Sequence, residues 1–314
     1  MLIGLCRSAL VSAAIAAISV TTAYGAPIVT RMSDVGGPTA NDLVNAMLAV
    51  GSSGISVVPG SVSYTGSLSG SGVFTNGGSD PLNSVGIPSG IILTSGDATF
   101  VSNVPNNDGG DGGDNGAAGS PLLSNIIGSN TFNASVLSFK FIPNGDKVQF
   151  QYIFGSEEYN NYVNSEFNDV FAFLVNGVNF ALVPGTSVPV SINNVNCGGP
   201  ISGAANHVNE NNCAYFRDNP PGGNTIDTQL DGLTTVLNFV ADVNPGVENE
   251  IVLGIADVGD TILDSAAFIK GNSFSVCGAP GQPDCAVPEP GTLGLTALGL
   301  VGIPALRRKK KADA

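Results

Sequence analysis

Hydrophobic and polar positions alternate with period two through most of the middle of this chain. Leu137, Phe139 and Phe141 fall on one side of such a run, and Ser138 and Lys140 on the other. Phe150, Tyr152 and Phe154 alternate with Gln149, Gln151 and Ile153. Phe171, Phe173 and Val175 follow Asp169, and Leu237, Phe239, Ala241 and Val243 form a further run. Ile251, Leu253 and Ile255 come after a turn at Asn244-Pro245-Gly246. Successive side chains of a strand leave opposite faces, so this period marks strands. Several short runs divided by Gly, Asn and Pro predict an all-β fold, an antiparallel β-sandwich of jelly-roll-like type. A closed barrel fits the same alternation. One stretch has helical spacing instead. Thr39 to Ala49 places Leu43, Ala46 and Met47 on one face, with Thr39 and Asp42 spaced as a capping box and Gly51 as the stop, which predicts one short N-terminal helix.

Two stretches break the rhythm. Asn103 to Gly119 sets Asp108, Asp111 and Asp114 among paired glycines. With almost nothing to bury, it reads as an exposed acidic loop. Asn194 to Asn224 is a second polar loop, holding Cys197, His207 and Cys213.

Both ends read as processing signals. Arg7, the apolar run Ser8 to Val20 and the small residues of Ala23-Tyr24-Gly25 form a secretory signal peptide cut before Ala26. The expected division is a signal peptide at 1–25, a β domain at 26–277, a Pro/Gly linker at 278–286 and a tail at 287–311. The tail opens with Val287-Pro288-Glu289-Pro290. A 16-residue stretch without charges runs from Gly291 to Leu306, and Arg307-Arg308-Lys309-Lys310-Lys311 closes it. As a helix the apolar part spans about 24 Å, barely a bilayer core, with the basic cluster held on the cytoplasmic side. Pro-Glu-Pro, a short apolar helix and a basic cluster, in that order, resemble the PEP-CTERM sorting signal. That resemblance implies export by the Sec machinery and tethering in the inner membrane through a C-terminal hydrophobic sorting helix. It further implies processing near Pro288-Glu289-Pro290 by an exosortase, and a Gram-negative host that makes an exopolysaccharide or biofilm matrix.

Removing the signal peptide removes Cys6 and leaves Cys197, Cys213, Cys277 and Cys285. An even number in an exported chain points to disulfides; of three connectivities, Cys197–Cys213 with Cys277–Cys285 is the simplest. A zinc site is the rival, and it lacks C-x-x-C spacing and has only one histidine to draw on. Between Ala26 and Pro288 stand 23 acidic and five basic residues. Such a surface repels nucleic acid and anionic membranes and suits cations.

No G-x-S-x-G elbow, P-loop or H-E-x-x-H sequence occurs. A Ser-His-Asp triad would have to use His207. Carboxylates do gather at predicted strand ends: Glu157 and Glu158 after one strand, Asp169 before the next, Asp257 and Asp260 at the end of a later strand, Asp264 before the last. Ca²⁺ takes six to eight oxygens, and these six carboxylates are its candidate ligands. Solvated turn residues are the plain alternative. A glycan-acting hydrolase pairing Glu157 or Glu158 with Asp169 or Asp257 is the enzymatic one. It would need carboxyl groups ~5–5.5 Å or ~6.5–9.5 Å apart across a sugar, in a cleft that usually carries aromatic residues. The chain has no Trp and six Tyr.

The same residues carry a family resemblance. Phe139-Lys140-Phe141-Ile142-Pro143, Tyr152 to Tyr159 (Tyr-Ile-Phe-Gly-Ser-Glu-Glu-Tyr) and Asn168-Asp169-Val170-Phe171 look like the central signature of choice-of-anchor L domains. Gly90 to Gly96 resembles an earlier strand of that family. Asp231-Gly232-Leu233-Thr234, Ala256 to Asp260 and Asp264 to Phe268 resemble its C-terminal half. The family often has an aromatic residue beside its Asp-Gly-x-Thr motif, where this chain has Leu230 and Leu233. The resemblance runs from about Leu43 to Phe274. It implies a shared surface domain joined to one of several anchors, with no catalytic residues to carry over. The resulting expectation is a non-enzymatic surface or matrix protein, acting by adhesion or by association with exopolysaccharide or other surface proteins. Protein recovered from the cell surface is predicted to lack Arg307 to Lys311; an intact mass that still includes this cluster would overturn the temporary-anchor reading.

Overall fold

The computed structural model describes residues 25–286 apart from 52, 108–109, 200–204 and 224. In chain order the elements are β1 (Ile28–Arg31), α1 (Ala40–Met47), β2 (Ile55–Val57), β3 (Ser63–Thr65), β4 (Ser71–Thr75), β5 (Gly90–Thr94), α2 (Pro121–Ile127), β6 (Thr131–Pro143), β7 (Lys147–Ser156), β8 (Val170–Val175), β9 (Val178–Asn179), β10 (Phe216–Asp218), β11 (Gly232–Thr234), β12 (Leu237–Asp242), β13 (Asn249–Val258), β14 (Ser265–Lys270) and β15 (Ser275–Val276). They form two antiparallel sheets. The first runs β1-β4-β5-β14-β7-β11-β10, with β12 and β15 also paired to β7. The second runs β2-β6-β13-β8-β9, with β3 also paired to β6.

Strand β7 is the spine of the first sheet. One edge pairs with β14 and then β15, the other with β11 and then β12. In the second sheet β13 lies between β6 and β8. The β8–β9 hairpin turns on Asn176-Gly177, both at positive φ (50° and 83°), the type I′ geometry that matches strand twist.

The alternating aromatics expected to face the core do so, and they join the sheets. Phe150 on β7 meets Phe173 on β8 with ring centroids 4.2 Å apart, and Phe239 on β12 at 4.8 Å. Tyr152 meets Phe171 at 5.1 Å. Phe139 and Phe141 on β6 both contact Phe274 edge-on. Ile153, on the opposite face of β7, is also buried, in a second cluster with Phe74, Ile92, Phe100 and Phe268. That part of the first sheet is therefore covered on both faces.

Helix α1 starts as expected. Thr39 is its N-cap, and the reciprocal bonds of the capping box with Asp42 both form. A second helix, α2, was not expected. It begins with Pro121 at its N-terminus, has no side-chain cap bond from Ser120 and buries only Leu123. Seven residues with one buried contact leave too short a periodic signal to stand out. The expected signal peptide and C-terminal sorting helix lie outside the described residues. Among the described residues no helix is long and apolar enough to cross a membrane.

Residues 278–286 pack as a closed loop. Cys277 is bonded to Cys285, Gly278 N–H donates to the Pro283 carbonyl, and Ala286 N–H donates to Gln149 Oε1. Phe150 sits where both sheets meet, and Phe150→Ala is expected to cost about 3–5 kcal/mol, read as a lowered midpoint in urea unfolding.

Candidate functional site

The strands deliver acidic residues to one end of the two sheets. Strand β7 ends at Ser156, which pairs with Ser265 at the start of β14 and Gly232 at the start of β11. Glu157-Glu158, Asp264 and Asp231 are the residues just beyond these ends. In the second sheet Ala256 near the end of β13 pairs with Val170 at the start of β8, so Asp257 and Asp169 come together. Ser265 joins the two groups: its hydroxyl donates to Asp169 Oδ2 at 2.7 Å. Glu157, Glu158, Asp169, Asp257 and Asp264 are all no more than 1% exposed. Asp260, expected among them, is half-buried at the rim and accepts from Ile262 N–H at 3.3 Å.

Few donors serve these carboxylates. Asp169 is the best supplied, with Val258 N–H at 2.9 Å on Oδ1 as well as Ser265. Asp257 Oδ2 takes Asn133 Nδ2 at 3.1 Å, Asp264 Oδ2 takes Gly113 N–H at 2.9 Å, and Glu157 Oε2 takes Asp111 N–H at 3.3 Å. That leaves Glu157 Oε1, both oxygens of Glu158, Asp257 Oδ1, Asp264 Oδ1 and the amide oxygen of Asn133 buried without a hydrogen-bond partner. Buried polar atoms in folded proteins are nearly always paired, so such a group of bare oxygens calls for compensation by a proton, a water or a cation.

No basic side chain among the described residues supplies it. Arg31 binds Asp34 and Asp97, Lys140 reaches Glu248, Lys147 binds Asp242, and Lys270 donates to Gln151. Arg217 gives its guanidinium to the carbonyls of Pro81, Ser84, Val85 and Thr234. His207 lies on the surface against Glu210.

Burial and crowding therefore raise these acids. Burial pushes Glu158 up to about 10, with the charges of Asp169 and Asp260 adding to it. Asp169 rises to about 8 through burial, against the pull of its two donors, and Asp264 to about 7 by burial, against the Gly113 N–H and helped by nearby Asp111. Glu157 is raised by burial and then by Asp231, and Asp257 by burial and then by Asp169.

The Gly/Asp segment departs from the exposed loop expected of it. Besides the Asp111 and Gly113 N–H groups, Asn115 Nδ2 donates to the Ser95 carbonyl at 2.7 Å. The Ala117 and Ala118 carbonyls accept from Asn133 and Ala134 at the start of β6. The glycines make this close approach possible. A methyl group at Gly96 would lie 1.5 Å from Asp264 Oδ2, and one at Gly112, where φ is +104°, would lie 2.4 Å from it. Backbone without side chains reaches the buried acids directly, which hydrophobic patterning does not register. Asp111 is thus a missed member of the site. Asp231 is another: it is buried, takes Asn106 Nδ2 at 2.9 Å and stands beside Glu157.

The other sequence candidates have different settings. Cys197 is bonded to Cys213, so although His207 and the two sulfurs lie within 4.8 Å of one another, neither sulfur is a thiolate able to hold zinc. Val287, Pro288, Glu289, Pro290 and Arg307, Arg308, Lys309, Lys310 and Lys311 lie outside the described residues. Beside the acids is a cavity of about 270 Å³ lined by Asp97, Asn103, Asp111 and Asp264.

A hard divalent cation fits this donor set: carboxylate and amide oxygens, buried, bare and without counter-charge. Among the described residues no three carboxylates bring an oxygen each within 4.8 Å of one another. A seated cation would therefore draw the acids inward or take carbonyl and water oxygens for the rest of its shell.

Compared with known proteins, residues 33–275 match the family described as the choice-of-anchor L domain, and residues 286–311 match the PEP-CTERM protein-sorting motif. No curated protein and no solved structure matches the chain.

The raised acids set the direction of a pH effect. Protons are held more tightly in the folded state than in the unfolded one, so this stabilisation is complete below the unfolded carboxylate value of ~4. It is lost as pH rises through about 7 for Asp264, about 8 for Asp169 and about 10 for Glu158. Cation-stripped protein is expected to melt at progressively lower temperature from pH 5 to pH 9, measured by calorimetry in EDTA.

Proposed function

The chain belongs to the choice-of-anchor L family and carries a sorting motif that marks it for export and exosortase processing, and from this we propose that it is a non-enzymatic surface or matrix protein whose domain is stabilised by Ca²⁺ at Glu157, Glu158, Asp169, Asp257, Asp260 and Asp264. Glu158 carries this reading: it is 1% exposed, and neither of its oxygens has a hydrogen-bond partner. A fold keeps such a group only if a proton or a cation compensates it. An exported domain meets calcium outside the cell, and the ion would tie β7, β8, β13 and β14 together where they converge.

The role built on that domain is adhesion or association with exopolysaccharide in the matrix of a Gram-negative host. Its support is the sorting motif and a surface rich in acidic residues and poor in basic ones. The hydrolase reading needs a groove in which a sugar reaches two carboxylates. Glu157, Glu158, Asp169 and Asp257 are covered by the fold, and no observation favours that reading.

Adding millimolar Ca²⁺ to EDTA-stripped protein is expected to raise the melting temperature, more at pH 8 than at pH 5 because protons compete for the same oxygens. At a hundred times the Kd the gain is about 2.7 kcal/mol. Asp169→Asn is expected to remove most of the rise. An unchanged melting temperature in Ca²⁺ overturns the proposal.

A further inference from the structure

We propose that the domain carries a seat for its own sorting motif: the cavity beside Ala286, on the outer face of β7, takes the segment 287–290 in extended form, with the Lys270 ammonium paired to the Glu289 carboxylate. The seat is independent of the buried acids at the other end of β7.

The face of β7 that turns away from Phe150 is covered unevenly. At Ile153 it is closed by Phe74, Ile92, Phe100 and Phe268. Two and four residues earlier the same face carries Gln151 and Gln149, both half-buried, and there it opens into a cavity of about 290 Å³. Lys270, Ser273, Pro283 and Ala286 also line it. The opening has a cause in the pairing. Strand β14 stays on β7 as far as Ile269 opposite Tyr152, and β15 resumes at Ser275 opposite Gln149. Between them the chain leaves the ladder, and only the Ser273 hydroxyl reaches back, to Gln151 N–H at 3.3 Å.

The last described residue lies in the wall of this cavity. Ala286 N–H donates to Gln149 Oε1 at 2.7 Å, and the Cys277–Cys285 bridge fixes the residue before it. Val287 therefore starts from the cavity itself. Proline then restricts the path. Pro288 and Pro290 have fixed φ, and each biases the residue before it, Val287 and Glu289, toward extended backbone. Three such residues place Glu289 on the order of 10 Å from Ala286. A segment restricted in this way loses little conformational freedom on docking.

Lys270 supplies the complementary charge. Its ammonium donates to Gln151 Oε1 at 2.6 Å, and among the described residues it is the one lysine bonded to no carboxylate. An ammonium has three N–H donors, so Gln151 does not exhaust it. Glu289 is the only charged residue from Cys285 to Leu306. The domain it leaves carries 23 acidic and five basic residues, so most of that surface repels a carboxylate. The wall with Lys270 attracts it. The pair holds the processing site at the domain surface, beside the start of β7.

The test uses the full-length protein with its tail intact, purified in detergent from cells that lack an exosortase. A carbodiimide joins an amine to a carboxylate where the two are in contact. The expected product is an amide between Lys270 and Glu289, found by mass spectrometry of the digest. Glu289→Gln, outside the folded domain, is expected to lose that link. Acetylation gives the second readout: the Lys270 amine is expected to react more slowly in the parent than in Glu289→Gln, with Lys140 and Lys147 unchanged. A tail that only passes nearby would not shield Lys270. Absence of the link in the parent, or equal acetylation of Lys270 in the two proteins, overturns the proposal.

Discussion

Six carboxylates buried at one end of the domain, with no basic side chain among the described residues to meet them, are the constraint around which the rest of this structure is arranged. Removing an ionised carboxylate from water costs several kcal/mol even after the surroundings relax. Neighbouring negative charges raise that cost further, which is why Glu158 and Asp169 hold their protons to about 10 and about 8. A folded state with such a cluster is stable only if the remaining contacts exceed the cost or if a counter-charge arrives. Protons serve at low pH, and in the reading proposed above divalent cations serve at neutral pH. Both act on the same oxygens, so stability against pH and stability against calcium are two views of one equilibrium.

The rest of the fold supplies the opposing contacts. Phe150, Phe173 and Phe239 meet with centroids 4.0 to 4.8 Å apart and lock β7 and β12 of one sheet against β8 of the other. Tyr152 and Phe171 continue that contact toward the acidic end. With the sheets fixed by these rings, the ends of β7, β8, β13 and β14 have no freedom to spread and relieve the repulsion. Ser265 spans the sheets at this end through Asp169. The aromatic core thus holds the strand ends that carry the carboxylates together.

Much of that core was legible because its strands are local patterns. Phe139 and Phe141, Phe150 and Tyr152, and Phe171 and Phe173 alternate within a few residues, and each pair faces the core. The capping box of α1 lies within four residues and formed as read. Where packing is non-local the pattern says less. Ile153 sits at a position that alternates with core aromatics, yet it is buried because residues as distant as Phe74 and Phe268 cover that face. The site divides the same way. Carboxylates at strand ends can be found by eye, since turn chemistry and strand length are local. Asp111 could not, because only the fold brings a glycine segment from one part of the chain over Glu157, some 46 residues on. The signal that identifies it in retrospect is glycine at 96 and 112, where any side chain would collide with Asp264.

The junction with the sorting motif gives this arrangement a direction. Ala286, the first residue of the motif match, is bonded to Gln149 on β7, and the Cys277–Cys285 loop closes immediately before it. The folded domain thus ends where the sorting signal begins, with no free spacer among the described residues. Strand β7 carries both relations: Gln149 near its start holds the exit to the tail, and Glu157 and Glu158 at its far end enter the acidic cluster. On the calcium reading proposed above, the domain is least stable in a cytoplasm that keeps free calcium low and most stable outside. Secretion before compact folding and consolidation after export would then follow from one set of side chains, without any separate device to time them.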